Sequence, residues 1–458
     1  MEFCGRFGRH FLIHGNDSSG HARHYLSGLL RRVERKNIGR IGEEVPGSNY
    51  QGMQQFISDS PWDHGALMAE VAGEAAALLG GHRDTALYLD ETSFVKKGDA
   101  SVGVQRQYCG RLGKVENCQV GVFACLGRGD RAALVDFRLF LPEVWAQDAA
   151  RCDKVKVPAA QRIHRTKPEL ALEMVKAARA RGSDHRWIGG DEVYGNNREL
   201  TDALDDLGET YLMDVASNLQ VWDADPCPQP PATPPVRPST DLHDSPPPPR
   251  RGRPATRAKA SAGAQSLSVS ELAARHFEKE NRQLTLRETT KGPLRARLWV
   301  RPVWLWDARR ETRASARLLI VRREADGSHK YSLSNAPAGT AWTRLGTMQC
   351  QRFFIERAFQ DTKSELGMAH YEVRGWRGWH HHIALCCLAL LFTLKERIAC
   401  AEAVPLLSVR DLVELLDFYL PRPIRDPEQL LLRMRTRHAA RAAATASARK
   451  KRRKVVTK

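Results

Sequence analysis

The chain has 458 residues, with 71 Lys and Arg against 53 Asp and Glu for a formal charge of +18, and 42% of it is hydrophobic. That length corresponds to about three average domains and supplies enough apolar residues for a sizeable core. The longest near-apolar run, 383–394, is too short to span a bilayer; residues 1–30 carry no secretory signal; and the ten cysteines include no C-x-x-C pair, which excludes a zinc ribbon and argues against a disulfide framework.

Residues 1–80 read as a helical region: Leu26, Leu29, Leu30 and Val33 recur at helical spacing, and Met68 to Leu79 is rich in Ala, Leu and Glu. Strands are predicted at 85–90, 120–126 and 133–139, separated by glycines. A helix over 170–178, a strand over 186–190 ending at Asp191, a helix near 197–207 and a strand over 210–215 follow. This order predicts an α/β fold, a mixed sheet with helices packed on it, over 81–222.

Between Pro226 and Pro249 eleven of 24 residues are proline, and a stretch of small and basic residues follows. Such a composition cannot build a core, so 223–266 reads as a disordered linker or exposed loop. It contains Arg250-Arg251-Gly252-Arg253-Pro254. An Arg-Gly-Arg segment of this kind, with Arg251 and Arg253, can lie in a narrow A·T minor groove, although an ordinary basic linker has the same composition. Beyond it, Ser268-x-x-Glu271 forms a capping box, and strands at 296–306, 316–322 and 331–334 make 267–345 a β-rich segment. Helices are predicted over 347–363, 379–398 and 408–419, within segments 346–400 and 401–432, before a basic tail at 433–458. That tail holds eleven Lys and Arg and no acid, including Lys450, Lys451, Arg452 and Arg453; residues 246–270 hold five more basic residues. Two flexible arms thus carry nearly all the excess charge, as suits a polyanion whose phosphates release counterions when neutralised; a tail that merely solubilises is the plainer reading.

Asp90 and Asp191 each stand where an apolar strand ends, the position at which ligand-facing side chains collect in α/β sheets. Singly, each is an ordinary turn residue. In 352–363 the spacing i, i+4, i+11 sets Arg352, Glu356 and Lys363 on one helix face. A carboxylate between two cations is either a simple ion pair or what metal-assisted phosphodiester chemistry needs. In that chemistry the carboxylate holds Mg²⁺ while the cations hold phosphates. Three converging carboxylates supply hard oxygen ligands, which suit Mg²⁺ or Mn²⁺ rather than zinc.

The order Asp90, Asp191, Glu356 resembles the Asp-Asp-Glu triad of ribonuclease-H-like transposases, and Arg352-x3-Glu356-x6-Lys363 resembles the signature of their insertion-sequence-4-like group. More narrowly, eight collinear stretches resemble the insertion-sequence-701 family. They include Glu34-Arg-Lys-Asn37, Ser60-Pro-Trp-Asp63, 89–98, 106–108, Asn117-Cys-Gln119, 138–142, Gly190-Asp-Glu-Val-Tyr-Gly195, and 371–374 with 378–380. The resemblance implies a ribonuclease-H-like catalytic domain over 81–222 and 346–400, interrupted by a β-rich insertion that accounts for the long gap between Asp191 and Glu356. It implies that Asp90, Asp191 and Glu356 bind Mg²⁺, with Mn²⁺ able to substitute, and that Arg352 and Lys363 contact DNA phosphates. The expected activity is a transposase that cuts at insertion-sequence ends and joins 3′-hydroxyls to target DNA. The partners are then terminal inverted repeats and target DNA, bound by residues 1–80 and the basic arms of a homodimer. It would act in the cytoplasm on chromosomal or plasmid DNA. The group's signature often has Tyr three residues before the Arg, where this chain has Gln349. The alternative is a catalytically silent DNA-binding protein derived from such an enzyme.

Other residues read as structural. His380, His381 and His382 point about 100° apart on a helix and cannot converge on one ion, so they are expected at a polar or DNA-facing surface. Cys386 and Cys387 are expected in the core, and Trp299 with Trp304 and Trp306 in the core of the insertion. Glu91 and Glu192, as neighbours of the strand-end aspartates, are expected to face away from them. Lys96 and Lys97 suit either a phosphate contact or a solvated turn.

Overall fold

The computed structural model describes residues 2–229 and 258–456, apart from 262, 290–291, 308–310, 312 and 424–425. In the N-terminal region, helices Ile38–Glu44, Tyr50–Ser58 and His64–Leu79 are capped by Asn37, Asn49 and Asp63, whose side chains accept from Arg40, Gly52 and Gly65 backbone N–H groups. Helix Ile38–Glu44 packs on helices Ser19–Leu29 and Tyr50–Ser58, and these two with His64–Leu79 pack on helix Trp376–Ala399, which is buried almost throughout its first eighteen residues. That helix holds the longest near-apolar run of the sequence. Among the described residues, no helix is long and apolar enough to cross a membrane.

The core sheet is built from β1 (Ala86–Val95), β2 (Gln105–Cys109), β3 (Lys114–Arg128), β4 (Arg131–Leu139), β5 (Trp187–Gly190) and β6 (Tyr211–Asp214). β1 is central: β3 pairs with it antiparallel and carries β2 and β4 on its far side, while β5 pairs with β1 and β6 with β5 in parallel. Helix Lys167–Ala180, opened by a Thr166/Glu169 capping box, makes the crossover that a parallel β1–β5 pair requires. The sheet continues into β7 (Gln220–Trp222), β8 (Ser266–Ser268), β9 (Arg282–Thr289), β10 (Gly292–Leu305), β11 (Ser315–Arg323) and β12 (His329–Ser334). β12 joins β6 antiparallel through Ser332–Asp214, Leu333–Met213 and Ser334–Leu212, so all twelve strands form one sheet. This is the expected mixed α/β, ribonuclease-H-like architecture. A second apolar cluster around Phe277 and Trp299 sits beneath the added strands.

Three expectations change. The helix expected over 347–363 is two helices, Trp342–Gln351 and Phe353–Ser364, broken at Arg352. The basic tail is not a flexible arm: Pro427–Val456 is a helix, as its run of Ala and Arg favours, with Arg435, Arg441, Arg449 and Lys450 exposed. The side chains of Lys451, Arg452 and Arg453, like Arg251 and Arg253, lie outside the described residues. Gln229 and Lys259 form an antiparallel bridge, so the proline-rich excursion leaves and re-enters the fold at one place.

His380, His381 and His382 are buried rather than surface groups. Their divergence holds: His381 and His382 reach other segments, while the His380 ring nitrogen bonds back within its own helix. His380 Nδ1 lies 2.8 Å from the Trp376 carbonyl, His381 stacks on Trp62 at 3.7 Å, and His382 Nδ1 lies 2.8 Å from the Tyr25 hydroxyl. Burial drives all three pKa values down, those of His381 and His382 to about 3, so they are neutral pins between helices. Cys386 and Cys387 are buried in the same helix, and Trp299 is buried in the insertion.

Candidate metal and nucleic-acid site

The register of β1 and β5 makes the site. Leu89 pairs with Gly190, the last residue of β5, so Asp191 leaves the sheet beside Asp90; β1 does not end at Asp90, as its apolar run implied, but runs on to Val95 with Asp90 paired to Phe123 of β3. Asp191 caps the short helix Glu192–Gly195 by accepting from Val193 N–H at 2.9 Å. Asp90, Glu91 and Asp191 each offer a carboxylate oxygen within 4.8 Å of the other two. Burial, with the neighbouring Asp191 and Glu91 charges added against the opposing Arg352, raises the Asp90 pKa to about 8; burial and Glu91 raise that of Asp191 to about 6.

Glu91 therefore does not face away, as sequence position implied. Its two oxygens are engaged, one by Lys167 Nζ at 2.6 Å and the other by the Tyr194 hydroxyl, which donates at 2.9 Å. Among the described residues Asp90 and Asp191 have no partner as close; Arg352 Nη1 stands 3.7 Å from Asp90. Two partly buried carboxylates side by side, both hard oxygen donors, fit a Mg²⁺- or Mn²⁺-sized cation.

Arg352 sits at the break between the two helices and spans the site. Its Nε lies 3.0 Å from Asp214 and its Nη2 3.2 Å from Glu356. Burial opposes its charge, yet Asp214, Asp90, Glu356 and Asp191 outweigh that and raise its pKa. Glu356 is half-exposed and lies outside the three-carboxylate group, on the far side of this guanidinium. Lys363 reaches back to β1, donating to Thr92 Oγ1 at 2.5 Å, and burial lowers its pKa to about 8. Lys96 lies over the Tyr371 ring at 3.4 Å, while Lys97 is exposed. The aspartate Asp214, which ends β6, was not singled out from sequence, although it lies one residue inside the end of the strand predicted over 210–215.

Several of the quoted stretches turn out to be braces for this site. In Gly190–Gly195, Tyr194 is the buried partner of Glu91, and Gly195 packs against β6 so closely that a Cβ there would lie 2.0 Å from the Asp214 carbonyl oxygen. Asn117 donates to the Lys96 and Gly98 carbonyls, and Gln119 accepts from the Tyr371 hydroxyl at 2.8 Å, fixing the loop after β1. Gly195→Ala is expected to cost about 1–3 kcal/mol, because the clash is with backbone. Gly73→Ala, on an exposed helix face with nothing within 4 Å, is expected to be neutral or stabilising; thermal melts of the two variants check the contrast.

The family model described as DDE superfamily endonuclease matches residues 10–293, more than half of the chain, and the chain belongs to that family. Asp90 and Asp191 lie inside the matched span and Glu356 beyond it. Over 192 residues the chain is 30% identical to a probable transposase for insertion sequence element IS701 from Microchaete diplosiphon, an alignment covering 42% of this chain and 47% of the relative. The match thus spans about half the length of that relative.

Proposed function

We propose that the protein is a DNA transposase that cuts at the ends of an insertion sequence and transfers the 3′-hydroxyls to target DNA. The observation that carries this reading is the pair of partly buried aspartates set side by side by β1 and the end of β5, in a chain of the DDE superfamily endonuclease family. Asp90 and Asp191 hold the divalent cation, with Glu356 completing the set once Arg352 turns to a phosphate. A cation bound there would supply an activated water or 3′-hydroxyl and neutralise the leaving oxygen. Arg352 and Lys363 fix the scissile phosphate. The exposed cations of helix Pro427–Val456, the helices of residues 1–80, and the basic arm with Arg251 and Arg253 bind terminal repeats and target DNA through salt-sensitive phosphate contacts. A homodimer pairs two ends, in the cytoplasm.

One observation favours the silent DNA-binding alternative: Glu356 is ion-paired with Arg352 rather than grouped with the two aspartates. The two readings separate in a cleavage assay on a plasmid carrying the element's own terminal repeats, with Mg²⁺ or Mn²⁺, beside Glu356→Ala. Breaks at the repeat ends that need metal and vanish in the variant are the expected result. Equal binding by both proteins with no cutting by either would leave the DNA-binding reading in its place.

A further inference from the structure

Resting on the metal-site reading above, we infer that Asp214 is a positioning residue: held by Ser332 and Gln349, it seats the Arg352 guanidinium and keeps that charge from closing the site. The contacts form a ring. Gln349 Nε2 donates to Ser332 Oγ at 2.7 Å, Ser332 Oγ donates to Asp214 Oδ1 at 2.6 Å, and Arg352 Nε donates to Asp214 Oδ2 at 3.0 Å. Gln349 and Arg352 are three residues apart on the helical segment, and Ser332 and Asp214 are cross-strand partners at the seam between β12 and β6. Gln349 in the first helix and Arg352 at the break thus clamp one strand pair at two points. Gln349 and Ser332 are buried, so their hydrogen bonds are shielded from water and fix the Asp214 carboxylate in one orientation.

The geometry of Arg352 makes this more than a brace. Its Nε is taken by Asp214, while Nη1 and Nη2 face Asp90 and Glu356, two acids of the expected metal set. A guanidinium there competes with a cation for the same oxygens, and Asp214 is the anion that draws it the other way. Gln349, at the position where the insertion-sequence-4-like signature often has Tyr, supplies the donor that starts the ring.

The test is a Mn²⁺ titration of the full chain, followed by thermal shift and calorimetry without DNA, on Asp214→Asn, Arg352→Gln and the double variant. Asp214→Asn is expected to raise the Mn²⁺ midpoint about five- to tenfold, because the freed guanidinium leans on Asp90 and Glu356. In the Arg352→Gln background the same substitution is expected to change the midpoint less than twofold. Ser332→Ala, which leaves Asp214 charged but loosely held, is expected to shift it about two- to threefold, so the result does not depend on Asp214→Asn alone. Equal shifts with and without Arg352 would overturn the inference while leaving the metal site standing. No Mn²⁺ response in the wild-type chain would remove the metal-site reading and this inference with it.

Discussion

Asp90→Asn is expected to abolish metal-dependent cleavage and, in metal-free buffer, to raise the melting temperature. The folded-state pKa of Asp90 is about 8, against 3.8 for the ordinary group. Above about pH 4 the unfolded chain has lost this proton, whereas the folded chain retains it until about pH 8. The native carboxyl's contribution is therefore fully present below pH 4 and is lost as pH rises toward 8, where the site holds a charge that burial and Asp191 oppose. Asparagine removes that charge and keeps the shape. Since one pKa unit corresponds to about 1.4 kcal/mol, and the loss of the Arg352 contact offsets part of the gain, the variant should be more stable by at least about 2 kcal/mol at pH 8. Near pH 4 the difference should close. Calorimetric melts in EDTA at the two pH values check the sign. A variant less stable than wild type at pH 8 would refute the strained-pair account.

The largest loss of stability is expected from Trp379→Ala. The indole is fully buried in helix Trp376–Ala399 and meets Phe137 edge-on at 5.5 Å and Phe94 at 6.4 Å, so it joins β1 and β4 to the helix. It also rests above Gly121, where a Cβ would lie 3.1 Å from the ring. Removing it leaves a cavity among rigid neighbours, at a cost of about 3–5 kcal/mol. Phe418→Ala, at a side chain 75% exposed, is expected to cost less than about 0.5 kcal/mol. Chemical denaturation midpoints of the two variants measure the difference.

How much of this was legible beforehand depends on what each residue's neighbours are. The strands at 120–126, 133–139 and 186–190 and the helices near 170–178 and 197–207 all occur, because their apolar spacing reports burial on one side of the sheet. β2 and β9 were missed: residues 105–109 and 282–289 are polar, and are strands through pairing with β3 and β10 rather than by propensity. The end of β5 before Asp191 was readable; the continuation of β1 past Asp90 to Val95 was not, because the apolar run breaks at Asp90 while the pairing with β3 goes on. Helical spacing correctly puts Glu356 beside Arg352, 3.2 Å away, but not its distance from the aspartates, because the Arg352 guanidinium faces Asp90 as well and takes up the space between. His380 to His382 misled for a related reason. Periodicity treats histidine as polar, but both ring nitrogens of His381 and of His382 find partners that only the tertiary fold supplies.

The seam where β12 meets β6 also orders events in time. Asp90 and Asp191 are synthesised early, but Arg352 is 161 residues beyond Asp191, and the whole run of added strands comes between. At about 5–20 residues per second, a ribosome needs about 10–30 s to cover that distance. During that interval the nascent chain has its two aspartates and no helix to face them. The edge of β6 is likewise open until β12 arrives, leaving an unpaired strand that invites misassembly.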